Sequence, residues 1–146
     1  MIETYTLYFD GAAWPNPGPN CSFGYHLHHN EELIASVSGI VQEPGEKSNN
    51  SAEYAGLAAG FKEFLNRKTD TYSELNVFGD SQLVINQMNG KWKIRPDHNG
   101  LYIPYARKAM QLCKEVRSHK TQVHFFWIPR EQNEEADRLS KLQEEK

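Results

Sequence analysis

Tyr5-Thr6-Leu7-Tyr8-Phe9-Asp10-Gly11 is the stretch on which the reading of this chain turns. Its first five residues favour strands, and the run then ends on a charge. Side chains alternate along a strand, so Asp10 shares a face with Thr6 and Tyr8, not with Leu7 and Phe9. Gly11 frees the backbone to turn at once. Taken alone, the heptamer reads by default as a strand whose last Asp merely starts a turn. Three later stretches decide for chemistry.

The first of them, Leu75-Asn76-Val77-Phe78-Gly79-Asp80, repeats the theme of a short apolar strand that ends in Asp. Ser81 to about Met88 follows as a short helix, capped by Asp80 or Ser81. Strand, helix and strand of this length favour parallel pairing by crossover. Two parallel neighbours would bring Asp10 and Asp80 to the same edge of a sheet. In the second stretch, Tyr54, Leu57, Ala58, Phe61 and Leu65 recur at helical spacing, predicting a helix from a cap at Asn50 or Ser51 to about Asn66. Glu53 lies in its first turn, with Gly56 and Gly60 on the same face. Each glycine costs ~1 kcal/mol relative to Ala, which suits a face pressed against a sheet. The third stretch, Asn133-Glu134-Glu135-Ala136-Asp137, opens a last helix that carries Leu139 and Leu142 and ends in a charged, fraying tail.

The remaining segments fill in the architecture. Ala12 to Asn20 holds three prolines and reads as a turn. Phe23, Tyr25 and Leu27 alternate in a strand to about His28, and Asn30-Glu31-Glu32 turns into a third strand, Leu33 to about Val41. His26 and His28 share a face, read as solvated and not as a metal pair, since no third ligand is placed near them. Gln42 to Asn50 is polar. Asn89 to Asn99 includes Lys91-Trp92-Lys93-Ile94-Arg95, the densest basic stretch, and cations interleaved with an aromatic suit a phosphate backbone. A helix follows from about Leu101 to Val116, with Pro104 in its first turn. Val123 to Ile128 is a fifth strand, and Pro129 to Gln132 a short loop.

With 146 residues, 38% hydrophobic and 24% charged, the chain fits one domain spanning 1–146 with a full core. No apolar run reaches the ~18 residues of a membrane span, and the N-terminus lacks a signal pattern. Cys21 and Cys113 have no metal-ligand spacing and fit a reduced, cytoplasmic setting. A net charge of −3 does not advertise a nucleic-acid binder, although a metal-binding carboxylate cluster would hide a nearly neutral remainder.

Asp10, Glu53, Asp80 and Asp137 can converge, and four uncompensated carboxylates are stable together only if protons or cations neutralise them. Oxygen ligands without a His/Cys set point to Mg²⁺ or Mn²⁺. Two such ions ~4 Å apart would clamp a phosphodiester.

Tyr8-Phe9-Asp10-Gly11 with Asn16-Pro17-Gly18-Pro19, Asn49-Asn50-Ser51-Ala52-Glu53, Gly79-Asp80-Ser81-Gln82 and Asn133-Glu134-Glu135-Ala136-Asp137 resemble the type I ribonuclease H family, in its motif order, from about residue 4 to 142. The resemblance implies a ribonuclease H-like α/β (mixed α+β) fold, a five-stranded mixed sheet flanked by helices. It implies cleavage of the RNA strand of RNA–DNA hybrids, with 5′-phosphate and 3′-hydroxyl ends and little sequence specificity. Asp10 matches the metal-bridging acid and Glu53, Asp80 and Asp137 the others, with Glu53 also placed to sense the 2′-hydroxyl. Asn16, Asn49, Asn50 and Gln82 match polar residues that the family points into the hybrid's minor groove, Gly11 is a further expected substrate contact, and Ser48 matches a hydroxyl at a DNA-phosphate pocket. Glu46 stands where many relatives carry an Arg of that pocket, leaving Lys47 as a substitute. The basic helix and loop of many relatives is reduced to Lys91, Trp92, Lys93 and Arg95. A His-bearing loop before the last acid is also missing, and Arg130 stands there instead, as in the compact branch.

A monomer is expected. Met1 close before the first strand and nothing after the last helix favour a free-standing enzyme, although a piece of a larger polyprotein would look the same. The alternatives are the ribonuclease H-like domain of a reverse transcriptase, another polynucleotidyl-transfer nuclease such as a junction resolvase, or a non-catalytic hybrid-binding module. Four acids argue against the last, because a pure binder gains nothing from negative charge facing phosphates.

Overall fold

Strand β1 is longer than its sequence pattern suggests. It runs Glu3–Ala13, because Ala12 and Ala13 stay paired to Ser22 and Cys21 of β2, Cys21–His29. The computed structural model describes residues 2–96 and 100–144. β3 covers Glu32–Ile40, β4 Ser73–Gly79 and β5 Thr121–Trp127. All five form one mixed sheet in the order β3-β2-β1-β4-β5. β1, β2 and β3 are antiparallel neighbours, whereas β4 pairs parallel with both β1 and β5. The two-residue turn at Asn30 and Glu31 has positive φ at both positions, 48° and 72°, as tight hairpins require.

The helices are α1, Asn49–Arg67, α2, Gln82–Met88, α3, Ile103–Ser118, and α4, Glu134–Lys141. α1 lies on β1 and β2 with α3 beside it, and α4 packs across β2, β1 and β3. The main core lies on the α1 face, where Leu7, Phe9, Leu27, Leu57, Phe61, Phe64, Leu75 and Val77 are fully buried. Gly56 and Gly60 do face the sheet: a Cβ at Gly60 would stand 2.7 Å from Leu7 Cδ2. Gly11 is tighter still, since a Cβ there would stand 2.3 Å from the Ala52 carbonyl carbon and 2.4 Å from the Glu53 nitrogen. Strand and helix therefore meet backbone to backbone beside Asp10.

Two local expectations need correction. Ser48, not Asn50 or Ser51, is the N-cap of α1, and it exchanges hydrogen bonds with Ser51 in a capping box. The Asn49 and Asn50 positions are thereby moved into the first turn. His26 and His28 are not a solvated pair. His26 stacks on Tyr8 at 4.6 Å, its Nδ1 lies 2.8 Å from His28 Nε2, and burial lowers the His26 pKa to about 4. The strand pattern alone could not show these contacts. α2 is capped by Ser81, whose hydroxyl accepts from the Val84 N–H.

The far end of the expected loop to Asn99, at 97–99, lies outside the described residues, as does the last part of the charged tail, 145–146. Among the described residues no helix is long and apolar enough to cross a membrane.

A carboxylate cleft as the candidate active site

The parallel register of β1 and β4 runs to Tyr8 and Phe78. Two residues beyond each, Asp10, still paired to Gly24 in β1, and Asp80, just past the end of β4, stand at the same edge of the sheet. α1 then brings Glu53 in through the glycine contact. Asp10, Glu53 and Asp80 each offer a carboxylate oxygen within 4.8 Å of the others. Asp137, from α4, lines the same cleft of about 360 Å³ with Asn49, Arg130 and Lys141. It stands outside the tight three-acid group, held 3.2 Å from Lys141 and 3.6 Å from Arg130. The four expected acids thus line one cleft, three of them close together and Asp137 beside them, paired with two cations and within hydrogen-bond reach of Asp10.

The electrostatics follow from burial. Glu53 and Asp10 are 7% and 5% exposed. Burial pushes the Asp10 carboxyl up to about 7; a hydrogen bond with Glu53 opposes the rise, and the Asp80 charge adds to it. Burial and the Asp10 charge hold Glu53 well above the usual carboxylate range. Burial also raises Asp80, against a hydrogen bond from Asn133. Glu53 Oε2 has no hydrogen-bond partner although it is buried. A buried carboxylate oxygen without a partner is costly unless a cation completes it. With three oxygen donors at close range, the site fits a hard divalent ion.

Asn133 is the residue that the sequence reading missed. An Asn just before a helix reads as a cap, but it makes no cap bond here. Its amide nitrogen donates to the Phe9 carbonyl, 2.9 Å, and to Asp80 Oδ2, 3.1 Å, bracing β1 and β4 together at the cleft. The Trp127 indole adds a bond to the Asp80 carbonyl, 3.0 Å. Lys141 was legible as the i+4 partner of Asp137.

The expected contact residues separate into two groups. Asn16 and Asn49 are exposed and tied together: Asn16 Oδ1 accepts the Asn49 N–H at 2.9 Å, and Asn49 Oδ1 accepts the Ala13 N–H at 2.8 Å. Gln82 is exposed at the start of α2, and Asn50 is half-buried in the first turn of α1. Gly11 lines the cleft, and its N–H donates to Asp10 Oδ1 at 2.9 Å. Lys91, Trp92, Lys93 and Arg95 are all exposed, Trp92 by 48%, and line a groove of about 530 Å³. Ser48 and Lys47, by contrast, are only 1% and 2% exposed. The Ser48 hydroxyl is committed to the cap, and the Lys47 ammonium donates to the Glu43 and Gly45 carbonyls. Neither offers a phosphate pocket in this arrangement, which corrects the expectation for both.

The comparisons agree with this geometry. Residues 27–143 match the family described as reverse transcriptase-like. A bifunctional protein of Mycobacterium tuberculosis is 35% identical over 135 residues, 90% of this chain; the chain spans only 33% of that relative. A ribonuclease HI of Halobacterium salinarum is 33% identical over 137 residues, covering 91% of this chain and 60% of its own length. The crystal structure of a ribonuclease H1 from the same archaeon superposes with a TM-score of 0.78 at 27% identity, covering 98% of this chain and 99% of that one. A compost-derived ribonuclease H1, solved in complex with an RNA/DNA hybrid, gives 0.71 at 26% identity over 92% of each chain. The chain belongs to the reverse transcriptase-like family, and its fold is that of the ribonuclease H structures it resembles.

Proposed function

We propose that this domain is a ribonuclease H, hydrolysing the RNA strand of RNA–DNA hybrids with little regard to sequence. The observation that carries the reading is the convergence of Asp10, Glu53 and Asp80 on one point, with a Glu53 oxygen left without a partner. Asp10, Glu53, Asp80 and Asp137 would hold two Mg²⁺ ions, or Mn²⁺ in their place. Such ions supply an activated water and neutralise the departing 3′-oxygen of the phosphodiester.

The chain's own residues do the rest. Asp10, buried beside Glu53 and Asp80, would be one of the acids that hold the ions. Asn133 and the Trp127 indole hold Asp80 in place. Asn16 and Asn49, tied together, and Gln82 at the start of α2 would offer amides suited to minor-groove edges that carry little sequence information, and Glu53 would meet the 2′-hydroxyl that separates RNA from DNA. Lys91, Trp92, Lys93 and Arg95 would grip the DNA strand, and Arg130 a phosphate next to the cleft. The water's oxygen ends on phosphorus, giving a 5′-phosphate and a 3′-hydroxyl.

The same proposal makes the domain a monomer in a reducing cytoplasm, where Cys21 and Cys113 remain free, buried thiols.

The test is an incubation of end-labelled hybrid, duplex RNA and duplex DNA with Mg²⁺, Mn²⁺, Ca²⁺ or EDTA. Only the hybrid should be cut, and only with Mg²⁺ or Mn²⁺. Ca²⁺ should bind without turnover, because its loose coordination does not hold the in-line geometry. Activity that survives EDTA, or comparable cutting of duplex DNA, overturns the reading.

A further inference from the structure

Away from the carboxylates, a buried polar network holds the basic segment by its backbone. Gln87 of α2 and Tyr102, the N-cap residue of α3, are 5% and 1% exposed. The Gln87 amide nitrogen donates to the Lys93 carbonyl at 3.1 Å and to the Tyr102 hydroxyl at 3.0 Å. That hydroxyl donates to the Arg95 carbonyl at 2.6 Å and accepts the Arg95 N–H at 3.0 Å. From α1, the Tyr54 hydroxyl donates to Gln87 Oε1 at 2.6 Å.

These bonds use both amide hydrogens of Gln87, its oxygen, and the single donor and both acceptor sites of Tyr102. A fully satisfied buried network specifies one geometry. The segment needs such help, since Lys91, Trp92, Lys93, Arg95 and Pro96 are exposed, and among 91–96 Ile94 is the residue packed against the core. Without the network its backbone freedom would be lost only on binding, at the expense of affinity.

We propose that Gln87 and Tyr102 are positioning residues for substrate: they hold the Lys93 and Arg95 backbone so that Lys91, Trp92, Lys93 and Arg95 meet the nucleic acid already ordered. The proposal rests on the hybrid-cleaving reading above. It assigns a task to two buried side chains that lie outside the carboxylate cleft, at the floor of the basic groove.

The experiment compares Tyr102→Phe and Gln87→Met with Tyr54→Phe, which removes a bond of the same network without releasing the segment. The first readout needs no substrate: the rate of tryptic cutting after Lys91 and Lys93, Arg95 being protected by the Pro96 that follows. It should rise about five- to tenfold in Tyr102→Phe and Gln87→Met, as expected for losing one net hydrogen bond or more. The second is steady-state cleavage of a short hybrid in Mg²⁺, where KM should rise about five- to tenfold with kcat within about twofold. Tyr54→Phe should lower the melting temperature yet move neither readout.

Unchanged tryptic rates in both variants overturn the positioning role. Faster cutting with unchanged KM overturns its link to substrate; if replacing Lys91, Lys93 and Arg95 by Ala also leaves KM unchanged, the fault lies in the DNA-contact reading instead. A parallel rise in KM with Tyr54→Phe reduces the network to general stability and overturns the proposal.

Discussion

The side-chain amide of Asn133 lies 3.1 Å from the carboxylate of Asp80 and donates to it from the turn before α4. One nitrogen thereby links that turn to the ends of two parallel strands, since it also reaches the Phe9 carbonyl. Asn133→Ala should leave that buried carbonyl without a partner and destabilise the fold by about 1–3 kcal/mol. With Asp80 no longer steered, kcat should fall well below wild type while KM stays near it. Chemical denaturation and steady-state kinetics check the two effects separately, and an unchanged kcat removes Asn133 from the site.

The crowding of the acids makes Asp10 a stability probe. Like charges ~4 Å apart at an effective dielectric of ~20 repel by roughly 4 kcal/mol, and shared protons relieve much of this. Asp10→Asn, nearly isosteric, should abolish cleavage and stabilise the metal-free protein by about 1–3 kcal/mol. Millimolar Mg²⁺ should stabilise wild type more than the variant, which narrows the gap. Thermal melts with and without Mg²⁺ decide it: a variant that melts at or below wild type without metal contradicts the cluster.

The pH dependence has a definite sign. The Asp10 pKa is raised to about 7 by burial, above an unfolded value of ~3.9. Its contribution is therefore fully present below about pH 4 and lost as pH rises through about 7. His26 works in the opposite sense: with its pKa lowered to about 4, its contribution is present above ~6.5 and lost as pH falls. The two overlap, so the measurement is the melting-temperature difference between Asp10→Asn and wild type, without metal, from pH 4 to 8. That difference should grow as pH rises. A flat difference means that Asp10 titrates normally.

Replacing Lys91, Lys93 and Arg95 with Ala should raise KM for hybrid far more than it lowers kcat, because these cations grip ground and transition states alike. The salt dependence of binding should flatten by roughly 0.7–0.9 in log–log slope for each phosphate that the protein no longer neutralises. Titrations of a labelled hybrid at several salt concentrations read both.

Arg130 stands 3.6 Å from Asp137 with its side chain 70% exposed. If it aids product release, Arg130→Ala should slow steady-state turnover more than a single pre-steady-state cut. Equal losses in a rapid-quench experiment assign it to holding Asp137 or the substrate instead.

Much of this was legible in the residues. Tyr5 to Asp10 and Leu75 to Asp80 announce parallel strands through their alternation and common ending, and the helical spacing from Tyr54 to Leu65 places Glu53 against them. What was not legible depends on contacts between distant segments. Ser48 looks like a free hydroxyl until its bonds with Ser51 are seen, because either serine can cap a helix from this stretch. His26 and His28 look solvated because nothing in a strand pattern reveals that His26 will stack on Tyr8 and meet His28. Asn133 looks like a cap, and only the approach of Phe9 and Asp80 gives its amide a different use.

The missing side chain at Gly11 has a consequence for how this site can vary. Because the strand rests on the backbone of Ala52 and Glu53 at 2.3–2.5 Å from where a methyl carbon would stand, main chain fixes the gap between Asp10 and Glu53. Main chain offers no rotamers, so no neighbouring side chain can widen the gap by a small adjustment. It acts as a gauge block: Gly11→Ala must slide all of α1 outward, carrying Asn49 and Asn50 with it, and so detune metal spacing and groove contacts in one step.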